Sequence, residues 1–555
     1  MTTALSTGSA VRAAAPRGLV GLGAVLLGQS AYSAAYIYQT SFVVGERRVF
    51  CLLDDAMISM RYARHFAAGL GLVWNPAGER VEGITNLGWT LIMALVHACA
   101  GRDGHGAGTP CLMVQCLSLA MLLANTVFTF AVVKKLVPRS SDAAVFAGFA
   151  TAVFYPLNTW ALQGLEVGLL AMLFSCAVWC VLGSDATLRS VVTPALLLAL
   201  AVLVRPDAAL VGLAIIGAGA VCAQPRARLY RMAWGSSAIL VALVLQTAFR
   251  LGYYGDPFPN TYYLKMTGFP AHLRCARGAA YTGYQVLALL WPMGLLALLV
   301  RLRGLRQGDA SMCIPRALAV PSAAFVSACV YSVYVGGDAW EGIVLTNRYV
   351  TQVAPCFFAV CGWFAAWCWD RRAAFLRGRA VFAVIAGLIV VLIHSQTGGA
   401  ALGRWLLLER PPFVEDNMRN VRLALLFEQV TAPGARIAID YAGTAPYFCD
   451  REFVDLLGKS DRYVARGMMH RGILAKPPWL EFYPGHLKWD YAHSIGRLRP
   501  DVVCAIWRRS IGDSQQHLRG GYWHLPVLGT DTYWRKDSGR IHWDLLPGTL
   551  REVPQ

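Results

Sequence analysis

The sequence predicts a polytopic α-helical membrane protein with a smaller α/β domain at its C-terminal end. Three observations predict this. Apolar residues fill 56% of the 555 positions and charged residues only 15%, where a soluble chain carries about a quarter. Apolar runs of roughly 18 to 22 residues recur from position 17 to about 396, each long enough to cross a hydrocarbon core of ~30 Å as a helix. Beyond that point the chain becomes richer in charge, Pro, Tyr and Trp.

Lys and Arg in short loops orient the spans. The basic groups are Lys134, Lys135 and Arg139; Arg226, Arg228 and Arg231; Arg301, Arg303 and Arg306; and Arg371, Arg372, Arg377 and Arg379. All fall on the cytoplasmic side if eleven segments cross: 18–38, 111–133, 143–159, 164–182, 190–204, 206–223, 232–249, 281–300, 317–335, 350–369 and 380–396. The first reads as a retained span, because no small-x-small cleavage site follows it. The apolar stretch 84–100 would break the parity if it crossed, so it is placed at the surface or as a re-entrant segment. This gives a membrane domain over 1–396, with a first extracytoplasmic loop at 39–110, and an extracytoplasmic domain over 397–555. In the latter, ARIAIDYAGTAPYF (435–448) reads as a strand, a Gly-containing turn and a helix start, and RPDVVCAIW (499–507) as a buried strand.

Composition also excludes functions. The net charge of +18 resides in the loops, with no basic stripe interleaved with aromatics, so no nucleic-acid partner is expected. Most of the fifteen cysteines sit inside apolar runs, where they act as small hydrophobes. No Cys/His spacing fits zinc, and GxGxxG and GxxxxGK[ST] are both absent.

The polar residues gather on the extracytoplasmic face. Asp54 and Asp55 open a helical stretch beside the bilayer. Either alone suits a helix N-terminus. An acid against apolar surroundings also gains a raised pKa, which suits a general base. Neighbours on a helix project about 100° apart, so one of the pair is expected to face a given site. Arg61, Arg205, Lys265 and Arg348 are the candidate phosphate ligands, since cations converging on one face match phosphate oxygens. Glu166, Asp207, Asp256 and Asp338 add carboxylates, and Asn260, Tyr262 and Tyr263 suit sugar hydroxyls and stacking. An acid, phosphate-binding cations and aromatics on the face away from the cytosol fit a lipid-linked phosphosugar, which needs no cytosolic nucleotide.

The stretch DDAMISMRYARHFAAGLGLVWNPAGERVEGITNLGW resembles the signature loop of GT-C glycosyltransferases related to the mycobacterial terminal arabinofuranosyltransferases. It carries the acidic pair Asp54–Asp55, Arg61 and Arg64, the Gly-rich 69–76 and the run 79–89. GLEVG (164–168), RPDA (205–208), YYGDPFPNTYYLK (253–265), GGDAWEGIVLTNRYVTQVAP (336–355), DLLGKSD (455–461), GHLKWD (485–490) and RPD (499–501) extend the likeness over most of the chain. Val167 and Ala208 depart from the family's Thr and Gly.

The resemblance implies a GT-C fold with about eleven transmembrane helices, juxtamembrane helices in the first loop and a C-terminal extracytoplasmic domain, in a bacterial plasma membrane. It implies a polyprenyl-phosphate donor carrying arabinofuranose, and a cell-envelope glycan, lipid or protein acceptor. Asp54 or Asp55 would be the catalytic carboxylate, and Arg61, Arg205, Lys265 and Arg348 the donor-phosphate ligands. Glu82, Thr85, Asn86, Glu166, Asp207, Asn260 and Tyr262 would order the sugar, the acceptor or the loop. No metal ligand set is assigned and no cofactor is required, although carboxylates here suit Mg²⁺ or Ca²⁺. The alternatives are a mannose or other hexose transferase and a lipid or sugar transporter. A transporter would carry internal repeats and midplane charges, which this sequence lacks.

Overall fold

The computed structural model describes residues 5–101, 108–183, 188–304, 314–341, 345–370, 379–395, 399–472 and 477–553. Among the loop cations, Arg306, Arg371, Arg372 and Arg377 lie outside this set. A helix or helix pair occupies each of the eleven expected stretches. Among the described residues four helices are long and apolar enough to cross a membrane by themselves: Arg17–Thr40, Thr109–Leu136, Pro225–Tyr254 and Arg316–Val335. A bent pair, counted as one span, makes five.

That pair corrects the expected helix over 143–159. Ser141–Val153 and Tyr155–Leu162 meet at 49°. Phe154 is extended between them, and Pro156 stands in the first turn of the second helix. Pro156 has no N–H to donate to the preceding turn and its ring crowds the carbonyl four residues back, so the first helix cannot run through it and the chain restarts there. Pro355 marks a similar restart: a short helix Arg348–Thr351 precedes the expected span, which begins at Ala354.

A two-stranded hairpin, β1 (Phe42–Val44) and β2 (Arg47–Val49), follows the first helix. The helix Asp54–Ala67 comes next and packs on Leu87–Ala100. The second sheet lies in the C-terminal part. It comprises β3 (Arg436–Ile439), β4 (Glu452–Asp455), β5 (Val502–Cys504), β6 (Tyr522–Val527), β7 (Thr530–Arg535) and β8 (Arg551–Glu552), in the order β4-β3-β5-β7-β6-β8. β3 runs parallel to β4 and β5, and the remaining pairs are antiparallel. β3 lies within 435–448 and β5 within 499–507, the two stretches that read as strands.

Side chains alternate across this sheet with the period of two that a pleat imposes. Ile437, Ile439, Val502, Cys504 and Trp534 join an apolar core continuous with that of the helices. Ala438, Val503 and Tyr533 face a second, smaller core under Trp489 and Tyr491. The sheet is thereby clamped to the helices by its own apolar face. The carboxyl ends of β3 and β4, with the loops that leave them, point at the start of the helix Asp54–Ala67.

Candidate active site

Two cavities meet at the acidic pair. The helix begins immediately after its N-cap Leu53, whose N–H donates to Gln163 O at 3.0 Å. Asp54 and Asp55 stand in the first turn, but their carboxylates are bonded to distant segments. Asp54 Oδ1 accepts from the Thr444 amide at 2.7 Å. Gly443 packs so closely that a Cβ there would lie 1.9 Å from Asp54 O, so only glycine fits. Asp55 turns the other way. Its Oδ1 accepts from Lys459 Nζ at 2.7 Å, and its Oδ2 accepts from Arg348 Nη1 at 3.1 Å.

Asp55 therefore faces a narrow cationic cavity of about 50 Å³, lined by Thr85, Asn86, Arg205, Lys265, Arg348 and Lys459. Most of these cations are matched. Arg348 is held in a two-pronged pair by Asp338 at 2.7 and 2.8 Å. Arg205 bonds Glu166 at 2.5 Å and Asp207 at 2.9 and 3.0 Å. Asn86 donates to the second oxygen of Glu166 at 2.8 Å and accepts from Ser59 at 2.9 Å. Lys265 is the exception: among the described residues no carboxylate lies within ion-pair distance of its ammonium.

Asp54 faces the second cavity, of about 330 Å³, which it shares with Trp340, Phe413, Asp440, Tyr483 and Trp507. Lys459 lines both cavities and forms their common wall. Two consecutive residues of one helix thus serve two chambers, as the ~100° step between neighbours allows.

The electrostatics separate the two acids further. Burial pushes the Asp55 carboxyl up, but Lys459, Arg348 and Lys265 outweigh it and hold it well below the usual carboxylate range. Asp54 ends raised: burial dominates, and Lys459 with the Thr444 amide only partly offsets it. Asp338 is also held low, burial being outweighed by Arg348. Burial, reinforced by Arg348, brings Lys265 down to about 8. Lys459 stays raised, because Asp55 and Asp54 overcome its burial. His486, beside the larger cavity, is lowered to about 3 by burial and Lys459 and so is neutral at pH 7.

Of the residues picked from sequence, Asp54, Asp55, Thr85, Asn86, Glu166, Arg205, Lys265 and Arg348 come together here. Asp207 joins through its pair with Arg205. Others do not. Arg61 lies away from the cations, with its guanidinium donating to the carbonyls of Trp74, Pro446 and Arg451 and to Asn75 Oδ1. It is a buried stitch between the first loop and the C-terminal part, because those carbonyls consume its donors. Arg64 likewise bonds Tyr447 O at 2.8 Å and Asp450 at 2.8 Å. Glu82 is paired with Arg250 at 2.7 Å, outside both cavities. Asn260 donates to the carbonyls of Gly458, Lys459 and Asp461, fixing the loop that presents Lys459. Tyr262 is exposed and stacks on Phe258 at 4.6 Å, away from the cluster.

Sequence reasoning missed Lys459 and Asp440. Lys459 sits inside DLLGKSD, where Asp455 accepts from the amides of Leu457, Gly458 and Ser460 and folds a tight turn after β4. An Asp followed by Leu-Leu-Gly-Lys-Ser is a legible turn signal. Asp440 follows β3 directly, where the carboxyl end of a strand points into a site.

The comparisons with known proteins concern the fold. A family model described as a domain of unknown function (DUF8728) matches residues 412–537. No curated protein matches the sequence. Among solved structures, ArnT from Cupriavidus metallidurans bound to undecaprenyl phosphate superposes with a TM-score of 0.54 at 13% identity, over 94% of this chain and 98% of that one. Its apo form gives 0.53 at 14%, over 94% and 98%. The apo oligosaccharyltransferase of Archaeoglobus fulgidus gives 0.52 at 11% identity, over 94% of this chain and 75% of that one. What these chains share with the present one is the fold.

Proposed function

We propose that the protein is a membrane glycosyltransferase that moves a sugar from a polyprenyl-phosphate donor to an acceptor hydroxyl, with Asp54 as the general base. The observation that carries this reading is the division of the acidic pair. Asp55 is locked among cations, while Asp54, with a raised pKa, faces a separate cavity across Lys459. A protein of the same fold binds undecaprenyl phosphate, which supports a lipid-phosphate donor here.

The donor phosphate occupies the cationic cavity, where Lys265 has charge to offer and Arg348 and Arg205 hold the wall. The acceptor hydroxyl approaches from the larger cavity. Asp54 takes its proton as the oxygen bonds to the anomeric carbon. The bond from that carbon to the phosphate oxygen breaks, and polyprenyl phosphate leaves with the electron pair. Lys265, Lys459 and Arg348 stabilise the charge that develops. Each step is assigned here to the chain's own side chains.

In this reading eleven segments cross the membrane, and the sheet with its flanking helices lies on the extracytoplasmic side of a bacterial plasma membrane. The basic loops then all face the cytoplasm, in keeping with the positive-inside rule. The sugar is arabinofuranose, on the resemblance of the first loop. A mannosyl or other hexosyl donor is the second arm of the test.

The test is transfer by the purified protein in nanodiscs from polyprenylphosphoryl-arabinofuranose and from polyprenylphosphoryl-mannose, with envelope glycans and glycolipids as acceptors. Turnover of the first donor supports the whole reading, and turnover of the second alone moves the sugar to a hexose. Turnover of neither, with undecaprenyl phosphate carried across the bilayer of sealed proteoliposomes instead, would establish a transporter.

A further inference from the structure

The larger cavity contains a group that the proposed chemistry leaves unused. Asp440 is the first residue beyond β3, and the loop it starts, 440–444, is the one whose Thr444 amide binds Asp54. The residue borders the cavity that Asp54 faces, and its Oδ1 is buried with no hydrogen-bond partner. A buried, unpaired carboxyl oxygen is costly unless a ligand completes it. The same cavity is lined by Trp340, Tyr483 and Trp507 and by Asn417 and Asn420. Aromatic faces cover the apolar C–H surface of a sugar ring, and carboxyl and amide groups bond its hydroxyls.

We propose that Asp440 orients the acceptor, its carboxyl bonding one hydroxyl of a polyhydroxylated group and so presenting the neighbouring hydroxyl to Asp54. This rests on the glycosyl-transfer reading above and adds the residue that selects among acceptors. Burial, and the negative charge of Asp54 beside it, push the Asp440 carboxyl well above the usual range. The protonated form is thereby favoured, and a protonated carboxyl donates as well as accepts. An Asn in its place keeps both capacities and nearly the same shape. An Ala keeps neither.

The experiment uses the full chain in nanodiscs with two probes, each measured by calorimetry: undecaprenyl phosphate, and an octyl glycoside of a linear arabinofuranosyl disaccharide. Wild type is compared with Asp440→Asn and Asp440→Ala, with thermal unfolding run on all three. The expected result is disaccharide affinity reduced tenfold or more in Asp440→Ala and within threefold of wild type in Asp440→Asn, with undecaprenyl phosphate affinity unchanged in both. Transfer assays should show the same change in KM for the disaccharide, with KM for the donor unmoved. Disaccharide affinity unchanged in Asp440→Ala, or no disaccharide binding by wild type, would overturn the proposal. So would an equal fall in affinity for both probes, which is the mark of a structural role. Failure of wild type to bind undecaprenyl phosphate would instead overturn the donor reading beneath it.

Discussion

Asp55 and Lys459 are 404 residues apart in the chain and 2.7 Å apart in space. That pair joins the first loop to the turn after β4, and with Arg348 it makes the floor of the cationic cavity. Asp54, one residue earlier, is bonded to a backbone amide and leaves its charge facing the other chamber. The two acids therefore have separable roles, and the predictions that follow separate them.

Asp54→Asn should lower transfer by at least about 100-fold, the lower range for loss of a general base, with donor affinity unchanged. Single-turnover rates beside undecaprenyl phosphate binding would check this. An active Asp54→Asn enzyme would remove Asp54 from the chemistry.

Asp55→Asn should act mainly on stability. It leaves Lys459 and part of Arg348 without their buried counter-charge, at a cost on the order of 3 kcal/mol. The folded pKa of Asp55 is depressed, so its stabilisation is fully present above the unfolded value of about 3.9 and is lost only as the pH falls through the lower folded value. Unfolding midpoints of wild type and variant, followed from pH 7 down to strong acid, should therefore converge only well below pH 4.

Lys265 should dominate donor binding. At about 8 its pKa lies near working pH, and an arriving phosphate raises it. Binding of undecaprenyl phosphate at pH 8 should therefore take up protons, visible as a dependence of the calorimetric heat on buffer ionisation enthalpy. Affinity should fall as the pH rises past 8, and Lys265→Met should lose both the proton uptake and at least about tenfold in affinity. Arg205→Lys, by contrast, should mainly lower the unfolding midpoint, since Glu166 and Asp207 already engage that guanidinium.

The rate should also report the raised Asp54. A base works when deprotonated, so its acid limb should lie above the ordinary carboxylate range, and activity should decline on going from neutral to mildly acidic buffer. A rate constant flat down to pH 4 would count against this assignment.

Arg61→Ala should destabilise by about 3 kcal/mol, from the loss of charged hydrogen bonds to buried carbonyls, while undecaprenyl phosphate affinity in the folded fraction stays the same. Arg61→Lys should recover little, because one ammonium cannot reach both the Trp74 carbonyl and the carbonyls of Pro446 and Arg451.

The helical layout was legible because long apolar runs and loop charge are local properties of sequence. The acidic pair and the cations Arg205, Lys265 and Arg348 were legible as polar residues clustered on one face. Arg61 misled because its helix position matches that of a ligand, and the carbonyls that consume it come from Pro446 and Arg451, far along the chain. Lys459 and Asp440 were missed for the converse reason. Each follows a short strand, and only the parallel pairing of β3 with β4 carries both to the same helix end. The break at Phe154 was readable from Pro156, but the apolar run through it hid the bend.

One consequence of the Asp55–Lys459 pair concerns biosynthesis. A ribosome delivers the first loop to the membrane long before it reaches Lys459. Until then the growing polypeptide has its acids and most of its cations but lacks the wall between the two chambers. The cationic cavity gains Lys459, and the larger cavity the wall it shares with it, only when the last-made part of the chain docks on the first loop.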